Sequence, residues 1–590
     1  MKVKIDGKEY DVPVGTSILA ACQEAGANIP TLCYSKSIGI IASCRVCVVE
    51  VKGVRNLVTA CNTQVTEGMD IITNSPRVQN ARKTVLELML SDHNLNCLKC
   101  PRTSDCRLKF TSQDAGCNSE RFVRNKELSA QDKNNSYIRR YNDKCILCGR
   151  CVRVCSVNQQ VGVLAVNGRG FNANIGCAWD KPLETVPCIT CGQCVANCPT
   201  AALVEVDNLP LLKEKLADPD IHVVIATAPS VRVALGDGFG MKKGENVEGK
   251  MVAALRRVGF DKVFDLDLAA DFTIMEEGTE FLKRLEAIDT PDAKKKPLPM
   301  LTSCCPGWMN YAFMCHPELI PNISTTKSPM QIFGALIKSY YARESGIKPE
   351  KIFTVMLMPC IAKQSECERE GINSSSKYKD VDMTMTVRQA IKLFREYRIH
   401  FRDLADEKFD DPLGLSSGAG LIFGTTGGVM EAALRTLSEK LLGKRMDNID
   451  FHSVRGEKGF KTAELDIKDK QGRNINVAVV SSIANAEKII QQVKSGEKFY
   501  HFIEIMACLG GCVNGGGMPV DDGQIQNNFG TAMKRAKTIY HMDQYNNLRR
   551  SHDNPVVQQI YKDYLGEPNS ELAHKLLHTH YAPRKKYNQE

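Results

Sequence analysis

The sequence lacks the features that mark several common classes of protein. No run approaches the ~18 consecutive apolar residues of a membrane-spanning helix, so no membrane span is expected. The first residues, MKVKIDGKEYDV, have no apolar core and carry three acidic side chains, which argues against a secretory signal and a transit peptide. No convincing GxGxxG or P-loop occurs, so the chain itself is not expected to bind NAD(P) or flavin. The net charge of +9 is modest for 590 residues, and no nucleic-acid binding is expected.

Cysteine, in contrast, is abundant. A chain of 590 residues is too long for one core, and three or four domains are expected. The 43% hydrophobic and 25% charged residues are typical of globular proteins and exclude a mostly disordered chain. Because no export signal is found, the 25 cysteines indicate metal binding rather than disulfides.

The cysteines occur in blocks along the chain. Four N-terminal blocks follow one another, the second containing a histidine: Cys33, Cys44, Cys47 and Cys61; His93, Cys97, Cys100 and Cys106; Cys145, Cys148, Cys151 and Cys155; Cys188, Cys191, Cys194 and Cys198. After a cysteine-poor stretch come Cys304, Cys305, Cys360, Cys508 and Cys512. The others are predicted to be small core residues: Cys22, Cys117, Cys177, Cys315 and Cys367.

The third and fourth blocks each read C-x2-C-x2-C-x3-C, the run of bacterial two-cluster ferredoxins. In that pattern the fourth cysteine of each run binds the cluster of the other run. The sequence therefore predicts two [4Fe–4S] clusters with these ligands: Cys145, Cys148, Cys151 and Cys198 for one; Cys188, Cys191, Cys194 and Cys155 for the other. A pair of zinc ribbons is the alternative, but zinc knuckles rarely use this spacing.

The first block lies in a segment that is typical of a small β-grasp domain. VKI, the turn Asp6–Gly7 and YDV predict a hairpin. Thr16 is placed to cap a helix through SILAACQEA that Gly26 ends, and VCVVEV and NLVTAC are predicted strands. The cysteine spacing resembles the [2Fe–2S] domain at the head of the large electron-transfer subunit of respiratory complex I and of multi-cluster hydrogenases. This resemblance implies a [2Fe–2S] cluster, with zinc as the alternative.

The second block, H-x3-C-x2-C-x5-C, follows a helix-like stretch, VQNARKTVLELMLSD. One histidine and three cysteines hold zinc or an iron–sulfur cluster equally well. Between its neighbours, however, the block resembles the histidine-ligated [4Fe–4S] cluster of the same families. Four closely spaced one-electron sites indicate a path for electron transfer.

From about residue 220, buried-strand runs alternate with helical patterns such as VRVAL, FTIMEEGTEFLKRL and WMNYAF. This alternation predicts α/β architecture with largely parallel strands, in which sites form beyond the carboxyl ends of strands. Cys304–Cys305, Cys360 and Cys508 each follow such a strand, and Cys512 comes one helical turn later. The sequence therefore predicts that these cysteines converge on one site.

The segments around these cysteines resemble the three signatures of [FeFe]-hydrogenase catalytic domains. They are TSCCPGW (302–308), MPCIAKQSE (358–366) and EIMACLGGCVNGGG (504–517). The tail resembles the small-subunit segment of that family. The resemblance implies catalysis of 2H⁺ + 2e⁻ ⇌ H₂ at a six-iron H-cluster. Its [4Fe–4S] part would be bound by Cys305, Cys360, Cys508 and Cys512. Cys512 would bridge to a two-iron part that carries CO, cyanide and a dithiolate.

The resemblance also assigns noncovalent contacts to the two-iron part. Lys363 is placed to donate to one cyanide, and Ser230 and the backbone near Pro229 to the other. Met358 and Met506 would pack on its face, although both would serve equally as core filling.

The same resemblance implies a proton relay. Cys304, which is not assigned to iron, would be the proton donor to the dithiolate amine. Glu277 and Glu280 share a helix face, Arg284 lies one turn beyond Glu280, and Ser324 aligns with the relay serine of the family. The alternative is a solvated helix face with a weak Glu280–Arg284 pair.

The alternative functions are a non-catalytic, complex I-like electron-transfer subunit, a hydrogenase-like iron–sulfur scaffold protein and a sensory hydrogenase. The cysteines at the strand ends count against the first, and the TSCCP thiol and MPCxxK lysine count against the second. The third usually loses the relay cysteine or appends a signalling domain. Met330 stands in SPMQ where the family often has glutamine, and is expected to alter local packing but not activity.

The predicted domains are 1–77 ([2Fe–2S]), 78–120 (a small helical domain with the histidine-ligated cluster), 136–212 (two-cluster ferredoxin) and 220–590 (catalytic, with the fused small-subunit-like tail). Ferredoxin is the simplest electron partner, and an NAD(P)H-oxidising flavoprotein is the second. Maturation enzymes are expected because the protein cannot supply the two-iron ligands. The expected compartment is the cytoplasm of an anaerobe, or the hydrogenosome matrix of an anaerobic eukaryote.

Overall fold

The computed structural model describes residues 1–122, 135–456, 458–519 and 529–587. Its N-terminal part contains a five-stranded mixed sheet in the order β2-β1-β5-β3-β4. The strands are β1 (Lys2–Ile5), β2 (Lys8–Asp11), β3 (Val48–Val51), β4 (Val58–Thr59) and β5 (Asp70–Ile72), and the helices are α1 (Ile18–Glu24), α2 (Pro76–Ser91) and α3 (Arg107–Asp114). The predicted hairpin is confirmed: β1 and β2 pair antiparallel about Asp6 and Gly7.

The helix α1 is present, but the residue that caps it differs from the prediction. Ser17, not Thr16, is the N-cap, and its hydroxyl accepts from the Ala20 N–H at 3.2 Å. Thr16 lies outside the helix because its carbonyl accepts from the backbone N–H of Val65 at 2.9 Å. Beyond the helix, Gly26 adopts the left-handed conformation that ends it, as expected.

A second part of the chain carries two short antiparallel sheets and two short helices. They are β6 (Ile138–Arg140) paired with β9 (Leu203–Glu205), β7 (Ala165–Asn167) paired with β8 (Asn174–Gly176), α4 (Arg150–Arg153) and α5 (Gln193–Asn197). Each helix begins inside one of the two cysteine runs. Gly149 and Gly192 precede the helices with φ of 72° and 76°, a conformation that favours glycine.

The C-terminal part is built on two four-stranded sheets, ordered β11-β10-β13-β14 and β12-β17-β16-β15. The first is parallel throughout, and in the second only β15 runs antiparallel. The strands are β10 (His222–Thr227), β11 (Lys262–Asp265), β12 (Met300–Leu301), β13 (Ile352–Met358), β14 (Met383–Thr386), β15 (Phe460–Lys468), β16 (Asn474–Ser481) and β17 (Phe502–Met506). The predicted α/β architecture with parallel sheets is confirmed.

Helices cover these sheets and complete the C-terminal part. They are α6 (Leu209–Leu216), α7 (Glu248–Val258), α8 (Asp267–Glu286), α9 (Pro306–Cys315), α10 (Pro329–Leu336), α11 (Ala342–Ser345), α12 (Ala362–Cys367), α13 (Val387–Glu396), α14 (Gly418–Ile422), α15 (Gly428–Leu442), α16 (Ile483–Ser495), α17 (Phe529–Gln544), α18 (Pro555–Ile560) and α19 (Glu571–Leu577). No helix in the described ranges is long and apolar enough to span a membrane.

The helical prediction for VRVAL, residues 231–235, is wrong. This segment forms turns that lead into a 3₁₀ helix, Leu235–Phe239. The run LGDGFG that follows contains three glycines, which disfavour a continuous α-helix. The turns keep Ser230 close to the end of β10.

Candidate active site and accessory cluster sites

A cavity lies beyond the carboxyl ends of strands from both C-terminal sheets. β12 and β17 of one sheet and β10 and β13 of the other lead into it, and its empty volume is about 720 Å³. Ten of the predicted site residues line it: Pro229, Ser230, Cys304, Cys305, Met358, Cys360, Lys363, Met506, Cys508 and Cys512. The predicted convergence of the strand-end cysteines is thus observed, and it occurs between two sheets rather than along one.

The cysteines of this cavity are buried or partly buried, and two of them accept hydrogen bonds at their sulfur atoms. Cys305 Sγ accepts from the Ala507 N–H at 3.3 Å, and Cys508 Sγ accepts from Gln193 Nε2 at 3.2 Å. Burial raises the pKa of the Cys360 and Cys508 thiols to about 12. Without a cation these thiols would stay protonated, whereas a coordinating thiol loses its proton outright.

Two polar side chains at the cavity differ in their readiness to bind a ligand. Ser230 is fully buried, and within the described residues its hydroxyl has no hydrogen-bond partner. This orphaned donor fits a polar ligand group such as cyanide. Lys363 Nζ already donates to Cys304 O at 3.1 Å, Ser328 Oγ at 2.9 Å and Glu366 Oε2 at 2.7 Å. A bond from Lys363 to a cyanide would therefore replace one of these three.

Methionine side chains supply part of the apolar lining. Met358 and Met506 lie at the ends of β13 and β17 and are buried. Met330 is fully buried and lines the same cavity. The SPMQ methionine therefore forms part of the site wall itself and not only of the packing behind it.

The predicted relay residues are buried together beside the cavity. Glu277, Glu280 and Arg284 are only 2–3% exposed on α8, so a solvated helix face is excluded. Ser324 Oγ donates to Glu280 Oε2 at 3.1 Å, and Arg284 Nη2 donates to Glu280 Oε1 at 2.7 Å. Although burial raises the pKa of Glu280, Arg284 and Lys296 hold it below its usual value.

Glu277 lies between the relay serine and the cavity thiol. Burial, and then the charge of Glu280, raises the pKa of Glu277 to about 8, while the nearby Ser324 hydroxyl opposes the rise. Burial raises the pKa of the Cys304 thiol well above its usual value, and the charge of Glu277 raises it further. Glu277 therefore holds a proton at neutral pH, between Ser324 and Cys304.

Sequence reasoning missed two residues of this network. Thr325 donates to Glu280 Oε2 from its backbone N–H at 2.9 Å and from its hydroxyl at 3.1 Å. His578 Nδ1 lies 2.9 Å from Thr325 Oγ1, and His578 Nε2 lies 3.0 Å from Glu276 Oε2. Thr325 is adjacent to Ser324 in sequence and could have been considered, but no signal in the sequence brings the tail residue His578 to α8.

Comparison with known proteins identifies the family. Residues 221–516 match the model described as "Iron only hydrogenase large subunit, C-terminal domain", and residues 530–584 match "Iron hydrogenase small subunit". The NADP-reducing hydrogenase subunit HndD of Solidesulfovibrio fructosivorans is 45% identical, over 99% of each chain. Iron hydrogenase 1 of Clostridium pasteurianum is 38% identical, over 98% of this chain and 99% of its own. The chain belongs to the iron-only hydrogenases.

A solved structure of the same family agrees with this assignment. A variant of the [FeFe]-hydrogenase HydA1 from Chlamydomonas reinhardtii superposes with a TM-score of 0.56 at 37% identity, covering 64% of this chain and all of that chain. The protein is therefore an oxidoreductase of the hydrogenase class, with electrons relayed through iron–sulfur clusters. A complex I-like subunit without a catalytic site is less well supported.

The N-terminal part matches iron–sulfur families. Residues 1–76 match "2Fe-2S iron-sulfur cluster binding domain", residues 82–121 match "NADH-ubiquinone oxidoreductase-G iron-sulfur binding region", and residues 138–159 match "4Fe-4S binding domain". This hydrogenase thus carries [2Fe–2S] and [4Fe–4S] domains ahead of its catalytic domain.

The two ferredoxin-type cysteine runs surround two separate cavities. One cavity, with an empty volume of about 390 Å³, is lined by Cys145, Cys148, Cys151 and Cys198. The other, of about 370 Å³, is lined by Cys155, Cys188, Cys191 and Cys194. Each cavity combines three cysteines of one run with the fourth of the other. In the described ranges, no group of three or more His, Cys, Asp or Glu is placed to hold a single metal ion.

The first two cysteine blocks differ in how closely they assemble. Cys33, Cys44, Cys47 and Cys61 are all buried. The Cys44 thiol lowers the pKa of Cys33 to about 5, and the Cys61 thiol lowers the pKa of Cys47 to about 7, in each case through a hydrogen bond. The first-block cysteines therefore lie in two contacting pairs.

In the second block, His93, Cys97 and Cys106 line a cavity with an empty volume of about 560 Å³. Cys100 is not among the residues that line it, whereas Cys117 is. Of the cysteines predicted to be core residues, Cys22, Cys177 and Cys367 are buried, whereas Cys117 and Cys315 are partly exposed. The prediction is therefore wrong for Cys117 and Cys315, and Cys117 lies beside a candidate cluster site.

Glycines bring the ferredoxin-like part against the catalytic cavity. A Cβ atom on Gly516 would lie 2.1 Å from Cys191 O and 2.7 Å from Gly192 Cα, and a Cβ on Gly192 would lie 2.9 Å from Ile361 Cδ1. No side chain fits at Gly516, where the close atoms are backbone, and the φ of 76° at Gly192 favours glycine there. The second ferredoxin run and the loop after Cys512 are therefore in backbone contact.

Proposed function

We propose that this hydrogenase carries one [2Fe–2S] cluster, three accessory [4Fe–4S] clusters and the H-cluster, with the ligands predicted from the sequence. The main support is the catalytic cavity, in which the four proposed ligand cysteines and a fifth thiol, Cys304, meet beside a buried carboxylate relay. The paired cavities of the ferredoxin runs support cluster binding, because each is a space surrounded by thiols rather than a point at which thiols meet. The boundaries of the four predicted domains and the β-grasp fold of the first are part of the same proposal.

The residues around the cavity have distinct roles in this proposal. When bound, the H-cluster supplies the iron at which protons and electrons combine. Cys305, Cys360, Cys508 and Cys512 hold it, and its two-iron part is further held by Lys363, by Ser230 with the backbone near Pro229, and by Met358 and Met506. The apolar lining excludes water from the site.

Protons reach the cavity through the relay. Arg284 and Ser324 orient Glu280, Ser324 passes a proton to Glu277, and Glu277 passes it to the Cys304 thiol. Glu277 suits this step because it is protonated at neutral pH and can be refilled from Ser324. Glu280 is ionised at rest, so it would take up a proton from outside the relay and pass it on. One proton then enters at Glu280 for each proton delivered by Cys304, and the relay residues are unchanged after each transfer.

The cluster assignment is tested by metal analysis of the anaerobically purified chain. Expression in a host without hydrogenase maturation enzymes, followed by iron–sulfur reconstitution, should give about 18 iron atoms per chain and no hydrogen evolution. Adding a synthetic two-iron complex should restore activity. Zinc in place of iron at the His93 block, or full activity before the two-iron complex is added, would contradict the proposal.

His93→Ala separates the accessory path from the catalytic site. The histidine-ligated cluster should be disturbed and turnover with a protein electron partner slowed, while the H-cluster still assembles. The matched control is His541→Ala, which changes an exposed histidine on α17. Equal rates of partner-linked turnover in the two variants would show that the His93 cluster is not part of the electron path.

For the electron partner we propose a flavoprotein that exchanges electrons with NAD(P)H, with ferredoxin as the second candidate. The support is the relative named as an NADP-reducing hydrogenase subunit, which matches this chain over its whole length. Purification of the complex from its source, followed by hydrogen assays with NADPH or with reduced ferredoxin as the sole donor, distinguishes the two.

A further inference from the structure

Cysteines of three accessory blocks meet in one buried apolar cluster. Cys33 and Cys44 of the first block, Cys106 of the second and Cys148 of the third all belong to it. A direct bond also joins the first and third blocks, since Ser43 Oγ donates to Cys148 O at 3.2 Å. Three proposed cluster sites therefore border one another at this place, which we call the junction.

Three arginines are buried at the junction. Arg102, Arg107 and Arg150 are 6%, 5% and 0% exposed. Arg102 Nη1 donates to Cys198 O at 3.2 Å, and Arg107 Nη2 donates to Thr31 Oγ1 at 3.3 Å. Arg102 is thus bonded at the fourth block, and Arg107 is bonded two residues before Cys33 of the first block.

The charges of Arg107 and Arg150 have no carboxylate partner in the described ranges. Arg102 is paired with Asp105, whose Oδ1 lies 2.7 Å from Arg102 Nε. Arg107 Nη1 and all three side-chain nitrogens of Arg150 have no hydrogen-bond partner among the described residues. An unpaired charge in the protein interior is strongly unfavourable, so a compensating anion is required here.

The cysteines beside these arginines identify that anion. The charges that act on Arg150 are those of Cys148, Cys198, Cys33 and Arg102. Arg150 repels Arg107, and the groups of opposite charge that act on Arg107 are Cys44, Cys148 and Cys33. Four thiolates outweigh the positive charge of an iron–sulfur core, so a bound cluster is anionic and gains one negative charge on reduction. The net charge around a cluster and hydrogen bonds to its sulfurs set its reduction potential.

We propose that Arg107 and Arg150 form a cationic junction that neutralises the [2Fe–2S] cluster and the Cys198-linked [4Fe–4S] cluster together and raises the reduction potentials of both. This inference rests on the proposed cluster ligands. The fixed charges stabilise the reduced state of either cluster, so electrons that enter the chain are held at these two clusters. Arg102 contributes less because Asp105 neutralises it.

The test is an anaerobic potentiometric titration of the full chain, reconstituted with iron and sulfide, followed by EPR. The variants are Arg150→Gln and Arg107→Gln, with Arg150→Lys to retain the charge. The matched control is Arg153→Gln on the same helix, because Arg153 is exposed and its Nε donates to Ile38 O at 2.8 Å. The [2Fe–2S] and [4Fe–4S] signals are separated by their temperature dependence.

Each glutamine variant should shift the ratio of reduced to oxidised cluster by about tenfold toward oxidised at a fixed potential, equal to about 59 mV for one electron. Arg150→Lys should shift it less, and Arg153→Gln should not shift it. If both glutamine variants keep their full iron content and their midpoint potentials are unchanged, the proposed effect of Arg107 and Arg150 on the reduction potentials is contradicted.

Two further outcomes distinguish a wrong ligand assignment from a wrong proposal for the junction. Loss of an EPR signal or of iron from the unsubstituted chain would contradict the ligand assignment, not the junction. If Arg150→Gln alone fails to retain iron, Arg107→Gln and Arg150→Lys decide: unshifted potentials in both would count against the proposal.

Discussion

Gln193 donates a hydrogen bond from Nε2 to Sγ of Cys508 over 3.2 Å, which links the second ferredoxin run to the catalytic cavity. The same nitrogen donates to Asn514 O at 2.8 Å, and the side chain is 5% exposed. Cys508 is a proposed ligand of the H-cluster. The amide therefore lies directly between the last accessory cluster site and the catalytic site.

Gln193→Leu should slow hydrogen evolution with a protein electron donor several-fold. A hydrogen bond to a ligating sulfur stabilises the reduced cluster, so its removal should also make the midpoint potential of the catalytic [4Fe–4S] part more negative. The measurements are the partner-linked rate and an infrared-monitored redox titration. Gln491→Leu is the control, because Gln491 is exposed and its side chain bonds only to Glu487 among the described residues. A change of the same size in both variants would rule out a specific role for Gln193.

Cys304→Ala should lower hydrogen evolution by about 10²–10⁴-fold, the usual cost of losing a positioned acid or base. The infrared CO and cyanide bands should persist, because the proposed ligand is the neighbouring Cys305. Cys304→Asp should recover part of the rate, since a carboxyl group also carries protons. Cys315→Ala, which changes a partly exposed thiol on α9, should leave the rate unaltered. Near-normal turnover of Cys304→Ala with intact bands would mean that the proton route runs elsewhere.

Glu277→Gln and Glu280→Gln should each impair turnover while the fold is retained. Both carboxylates act through Ser324, so the double variant should lose less activity than the sum of the two single losses, expressed as free energies. The measurement is hydrogen evolution from a strong chemical reductant, which bypasses the accessory clusters. Thr279→Val on the same helix is the control, because its hydroxyl bonds only to Met275 O among the described residues, at 2.7 Å. Additive losses would show that the two carboxylates act on separate routes.

The pH dependence of the relay follows from the raised pKa of Glu277. Below about pH 8 the carboxyl carries its proton and can supply Cys304, and above about pH 8 it is ionised and can accept a proton instead. Hydrogen evolution should therefore fall, and hydrogen oxidation rise, as the pH passes through about 8. In Glu277→Gln this change in the two rates near pH 8 should disappear. The rates should then vary only gradually, as the driving force for proton reduction changes with pH. Superimposable pH profiles of the two proteins would contradict the assignment.

The strand-end cysteines show how far the sequence could predict the site. Cysteine spacing and the position of each block after a buried strand were enough to bring Cys305, Cys360 and Cys508 to one cavity. The pattern contained no information on how strands pair, so the division into two sheets with the site between them could not be predicted. That division depends on long-range pairings, such as β12 with β17, that local periodicity does not encode.

The same limit applies to the relay and the junction. The i, i+3 spacing placed Glu277 and Glu280 on one helix face, but not the approach of His578 from the tail. Similarly, Arg107 and Arg150 each lie next to a cysteine block and would ordinarily be interpreted as surface charges. Only the packing of three blocks against one another buries both.

The backbone contact between Gly192 and Gly516 has a consequence for protein engineering. Because a Cβ at Gly516 would clash with backbone and the φ of 76° at Gly192 favours glycine, the electron-transfer module and the catalytic module cannot be freely exchanged. A foreign ferredoxin module fused to this catalytic unit would need glycine at the equivalent of position 192 and a loop of the same path around it. A foreign module matched only in length would not pack as closely against the catalytic module. Electron transfer would then slow steeply with each ångström added between the two cluster sites.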